Sequence, residues 1–173
     1  MNERAVVATY LYLQAIGTLA WWILLASIPD AVAWFQPRSW PAEALLSFWL
    51  ADSILLIGGS LFTAIAISRK KSWGAISLWG LAVAAWYPTL YCIAVSFKTD
   101  EAWLASAMMV AMAGLTLAMA TIYGRSDQVP MFIRSTSMPK WDAMLWTFAQ
   151  VVIFWGTFLW ILPKGIHEME GRF

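Results

Sequence analysis

Apolar residues run in five blocks, 5–28, 45–68, 73–97, 102–123 and 143–163, separated by short polar interruptions. At 1.5 Å per helical residue, a block of 24 residues such as 45–68 covers about 36 Å. That is enough to cross a hydrocarbon core of about 30 Å with some tilt. The pattern predicts five membrane-spanning helices. The second block, LLSFWLADSILLIGGSLFTAIAIS, has the clearest two-sided pattern. At 100° per residue, Leu50, Ile54, Ile57, Leu61 and Ile65 share one side, and Asp52, Ser53, Gly59, Ser60, Thr63 and Ala64 the other. A greasy lipid face opposite a small, polar, helix-facing side is the expected reading.

The connections carry the punctuation. Pro29-Asp30 stops the first block, and 29–44 follows with Trp34, Phe35 and Trp40 among three prolines. Those aromatics are expected to anchor at the headgroup level on a short interfacial helix. MNER and Ala31-Val32-Ala33 imitate the flanks of a signal peptide, but the first block far exceeds a 7–15-residue signal core and is read as an uncleaved span. Arg69-Lys70-Lys71 makes a basic turn. Pro88 removes a backbone donor and predicts a kink near Ala84–Pro88. A four-residue turn, KTDE, leads to the fourth block, where Gly114-x-x-x-Ala118 offers a close-packing step. The proline-bearing stretch 124–142 is the longest polar connection. The expected organisation is a four-helix transmembrane bundle over 1–123, a cytoplasmic linker over 124–142, and a fifth transmembrane helix with a short tail over 143–173.

Composition agrees with that class. Hydrophobic residues make up 61% of the chain and charged residues 12%, where soluble domains carry about a quarter charged. Mean hydropathy is +0.67. An all-α, polytopic integral membrane protein is therefore expected, with the lipid bilayer as its first partner. A net charge of +1 with no basic patch gives no support to nucleic acid binding. With the N-terminus inside, cytoplasmic segments hold seven of the eleven basic residues (Arg4, Arg69, Lys70, Lys71, Arg125, Arg134 and Lys140). The positive-inside rule then sets the N-terminus in the cytoplasm and the C-terminus outside, as in a bacterial inner membrane.

Polar residues within the blocks are the candidate chemistry. Counted from the outer ends, Asp52 lies about 10 Å down and Thr89, Tyr91 and Thr157 at about 9–12 Å. Gln14, Thr116 and Gln150 lie deeper, at about 20–22 Å. Two polar layers follow, the outer one around an acid that costs roughly 2.5–3.5 kcal/mol to insert and so needs partners or a proton. One reading is a polar cavity with Asp52 as a proton or cation site. The other is interhelical hydrogen bonding that fixes packing. The methionines of the fourth block read as packing. A lone cysteine, Cys92, and a lone histidine, His167, leave no disulfide, no expected metal site and no haem pair. No catalytic constellation is present in the pattern.

The stretch QVVIFWGTFLWILPKGIHEMEGRF resembles the helix that opens the membrane methyltransferase domain of bacterial relatives of isoprenylcysteine carboxyl methyltransferase. Gln150, Phe154, Trp155, Phe158, Leu159, Leu162, Pro163 and Glu170 carry the resemblance. LADSILLIGGS and YPTLYCIA are similar to a four-helix N-terminal extension of some of these proteins. The family's cofactor-binding and catalytic segment lies downstream of this helix, beyond Phe173. The resemblance therefore implies a non-catalytic front module, with S-adenosylmethionine bound only by a further segment or partner. An accessory subunit of a larger membrane complex, and a small transporter or lipid-binding protein using the Asp52 layer, are the alternatives.

Overall fold

The computed structural model describes residues 3–125 and, further on, 156, 159–164 and 166–167. Every regular element among them is helical. Helix α1 is Glu3–Ser27 and a single turn, α2, is Pro29–Val32. Ala42–Ser68 forms α3, Gly74–Thr99 forms α4 and Trp103–Arg125 forms α5. The four long helices are long and apolar enough to cross a membrane, which makes this an integral membrane protein of helical-bundle architecture. The fifth block and the 124–142 linker fall largely outside the described residues.

Helix α3 meets its predicted face. Ser60, Thr63 and Ala64 are buried, while Leu50, Ile54, Leu61 and Ile65 are exposed where lipid would lie. Just after Asp52 the helix widens into a π-helical turn, Ser53–Gly58, before resuming as Gly59–Ser68. A Cβ on Gly59 would stand 3.3 Å from the Leu81 side chain, so this glycine sets the close approach of α3 to α4. Pro88 sits inside α4, which continues as one helix to Thr99. On α5 the fully buried small residues are Ala107, Ala113 and Ala120, and Gly114 and Ala118 are only half-buried. The close-packing face is thus rotated from the expected Gly114/Ala118 step.

The helices follow one another around the bundle: α1 packs on α3, α3 on α4 and α4 on α5, with α1 and α5 meeting only lightly. One continuous core, including Val7, Leu11, Ile67, Leu78, Ala82 and Ala113, fills the end that holds the Arg69–Lys71 turn. Because lipid is as apolar as these side chains, close packing rather than water exclusion holds this core together. At the opposite end α1 and α5 stand apart, and residues 29–41 fill the gap. Phe35 is buried edge-on against Trp21 at 4.1 Å between ring centroids, and Leu104 and Ala105 of α5 pack on the same cluster. The backbone N–H of Arg38 donates to Glu101 Oε2 at 2.6 Å, tying this segment to the α4–α5 turn. The aromatic connection is therefore a folded plug between helix ends. Its Phe35 and Trp40 point inward, where headgroup anchors had been expected, because the splayed helices offer them a better-packed cleft.

Residues 159–164 are helical and lie at that same end. Ile161 is fully buried with Trp103, Ala107 and Val110, and Lys164 Nζ stands 4.2 Å from the ring centroids of both Trp103 and Trp160.

Candidate functional site: an aromatic-walled cavity beside Asp52

The splay between α1 and α5 leaves a cavity of about 480 Å³. Along α1 its lining runs from Tyr10 to Trp22, twelve residues or about 18 Å. The plug caps one end through Phe35, Gln36 and Pro37, and Met108, Met109 and Met112 of α5 form a flexible apolar wall. Gly17 belongs to the lining, and a Cβ there would meet nothing within 4 Å.

Asp52 is half-buried and faces this cavity from the last α-helical turn before the π-helical segment. The Trp22 indole lies beside the carboxylate, though its N–H does not reach hydrogen-bond geometry with any group. Cys92 of α4 is within electrostatic reach of the acid and also lines the cavity. One turn before Asp52, Phe48 packs on Tyr91 at 5.9 Å, and Tyr91 in turn on Trp40 at 6.5 Å. Among the described residues, no Lys, Arg or His lines the cavity.

The outer layer drawn from depth alone is partly redistributed. Asp52 and Tyr91 do meet at one cavity. Thr89, expected beside them, is fully buried and turned toward α5, donating to Ala85 O at 2.7 Å and reaching Met109 O at 3.2 Å. Thr89 shares the height expected for Asp52, but its helix turns the hydroxyl to another neighbour. Among the described residues, Asp52 faces a cavity walled by Trp22, Phe48 and Tyr91. Thr157 lies outside the described residues.

In the deeper layer, Thr116 Oγ1 lies 3.0 Å from Gln14 Oε1 and 2.8 Å from Tyr10 Oη, joining α1 to α5. Gln150 lies outside the described residues. This cluster closes the far end of the cavity. It leaves Gln14 Nε2 buried without a partner, as are Gln36 Oε1 and Trp22 Nε1, and all three residues line the cavity. Buried polar atoms are rarely left unpaired, and these three border one cavity.

Trp22, Gln36, Phe48 and Gly17 carry no motif in the sequence. The available signal was indirect: aromatics dense at one end of the first block, in the proline-bearing connection, and just before Asp52. Among the described residues no His/Cys/Asp/Glu group could hold a metal ion. Set against family models, curated proteins and solved structures, the chain matches none of them.

Proposed function

We propose that this protein binds a lipid-like amphiphile in the cavity beside Asp52. A single observation carries the reading: one apolar void bordered by Asp52 and by three buried polar atoms that have no partner. Its size falls in the range of small-molecule sites, and its mix of apolar walls with a few polar groups is the usual composition of such sites. Leu13 of α1 and Met108 and Leu115 of α5 line the cavity and are nonetheless 62%, 46% and 45% exposed. Access therefore runs sideways between α1 and α5, from the bilayer. The test is native mass spectrometry of gently solubilised protein. An amphiphile bound one per chain is expected, and Gly17→Trp, which grows into open space, should displace it while leaving the fold intact. Absence of any bound molecule from the unaltered protein, or equal occupancy in Gly17→Trp, would overturn the reading.

A fifth crossing belongs to the same proposal. Helix α5 ends at Arg125 at the core-filled end, and residues 159–164 pack at the opposite end beside Trp103. The apolar block 143–163 has the length to cross between those two ends. A second reading draws on that packing, since Leu159 and Leu162 belong to the segment that resembles the methyltransferase family. In it, the bundle is the non-catalytic front module of a methyltransferase-like membrane protein, and any S-adenosylmethionine is held by a segment or partner beyond it.

A further inference from the structure

We infer that the cavity's polar subsite recognises an ammonium group carried on an apolar body. This rests on the amphiphile-binding reading above and narrows it to one class of ligand. Asp52 brings a carboxylate to a cavity in which, among the described residues, no lining side chain is cationic. An acid in an apolar setting needs either a proton or a positive partner, and none of the described lining residues supplies that partner. Around the acid stand aromatic rings: Trp22 beside it, Phe48 one turn earlier, and Tyr91 and Trp40 continuing the wall at centroid separations of 5.9 and 6.5 Å. Gln36 adds a second acceptor, because its Nε2 is taken up by Trp40 O at 3.2 Å while its buried Oε1 is unpartnered. The rings and the acceptors Asp52 and Gln36 Oε1 suit an alkylammonium, through attraction to the rings and to the carboxylate, while the unpartnered donors Trp22 Nε1 and Gln14 Nε2 suit an oxygen elsewhere on the same ligand.

The chemistry would be equally poor for an anionic head, which would face Asp52 directly. A neutral hydroxyl head could donate one hydrogen bond to the acid but would leave its charge uncompensated. The methionines of α5 and the lateral opening between α1 and α5 leave room for the ligand's chain toward the bilayer. Such a group occurs on a free hydrophobic amine and on a choline-type lipid headgroup. The two differ in the phosphate that accompanies the second.

The experiment is equilibrium binding to the purified protein in dodecyl maltoside micelles, corrected with protein-free micelles. Four probes share one chain: dodecyltrimethylammonium, dodecylphosphocholine, dodecanol and dodecyl sulfate. Dodecyltrimethylammonium is expected to bind at least tenfold tighter than dodecanol, with dodecyl sulfate weakest. Asp52→Asn should erase most of that preference, and an unchanged gel-filtration profile and apparent Tm would report that the variant is folded. Trp22→Leu should weaken the ammonium selectively. Comparable dodecylphosphocholine affinity would identify a headgroup site, and a much weaker one a site for free amines. Equal binding of dodecanol and dodecyltrimethylammonium, both lost in Gly17→Trp, would overturn the ammonium inference and leave amphiphile binding standing. Failure of all four probes to bind would overturn both.

Discussion

Thr116 has one hydroxyl proton and three oxygens within reach: Met112 O at 2.8 Å, Tyr10 Oη at 2.8 Å and Gln14 Oε1 at 3.0 Å. If it donates to Gln14, Tyr10 can donate to Met112 O at 3.1 Å, and the cluster closes across α1 and α5. These are the main polar ties between two helices that otherwise meet lightly, so their loss should be felt as a pair. A double-mutant cycle of Gln14→Leu and Thr116→Val, read by reversible unfolding in mixed detergent, is expected to give a coupling of about 0.6 kcal/mol and at most about 1.7 kcal/mol. A coupling of zero would mean the two side chains are neighbours without being partners. Height in the bilayer was readable here, since 1.5 Å per residue set Gln14 and Thr116 level on helices running in opposite directions. Azimuth was not. Thr89 shares the height of Asp52 but faces α5, and no count along the chain reveals which neighbour a hydroxyl will meet. Tyr10, the third member of the cluster, has a ring that reads as lipid-facing until the packing of α1 against α5 is known.

Helix α3 shows where element-level reading succeeds and where it ends. Its buried and exposed faces follow the 3.6-residue period, because lipid on one side and helices on the other impose the same two-sided rule throughout. The π-helical turn at Ser53–Gly58 leaves no trace in that period, as an apolar run can absorb one wider turn without changing its composition. Wider turns recur at functional sites, and this one begins directly after Asp52. The same helix closes with a motif that makes a clear prediction. The Lys71 N–H bonds to Ala66 O at 2.9 Å and the Lys70 N–H to Ile67 O at 3.1 Å, the paired bonds of a Schellman ending. Lys70 stands in the left-handed position at φ 57°, where glycine is the usual occupant. Its side chain is exposed, so little packing is lost on removing it. Lys70→Gly should stabilise the bundle by about 1 kcal/mol, observed as a higher apparent Tm in detergent. A lower Tm would show that the lysine's own contacts outweigh the backbone strain. The proline-bearing connection is the opposite case. Its aromatics suit an interface or a plug equally well, and only the splay of α1 from α5 decides for the plug.

At the scale of the whole molecule, antiparallel helices sort the chain's loops into two ends. The start of α1, the Arg69–Lys71 turn and the close of α5 share one end; the plug, the α4–α5 turn and residues 159–164 share the other. The first end collects Arg4, Arg69, Lys70, Lys71 and Arg125, the second Arg38, Lys98 and Lys164. Five against three favours the first as cytoplasmic. The lean of Lys164 on Trp103 and Trp160 also suits a helix end at an interface, where a long cationic side chain reaches outward across aromatic rings. Single cysteines introduced in a Cys92→Ser background would read this arrangement in intact cells with a membrane-impermeant thiol reagent. Positions 38 and 164 should label from outside, and positions 70 and 128 only after the membrane is opened. Outside labelling of position 70 would invert the orientation. Labelling of 164 together with 70, and not with 38, would remove the fifth crossing and place the packing of Ile161 against Trp103 in doubt. Asp52 lies toward the plugged end, the one predicted to face out, so the same experiment fixes the leaflet nearest to Asp52. With 38 outside, that is the outer leaflet, and a ligand delivered to the outer face of cells should occupy the site without crossing the membrane.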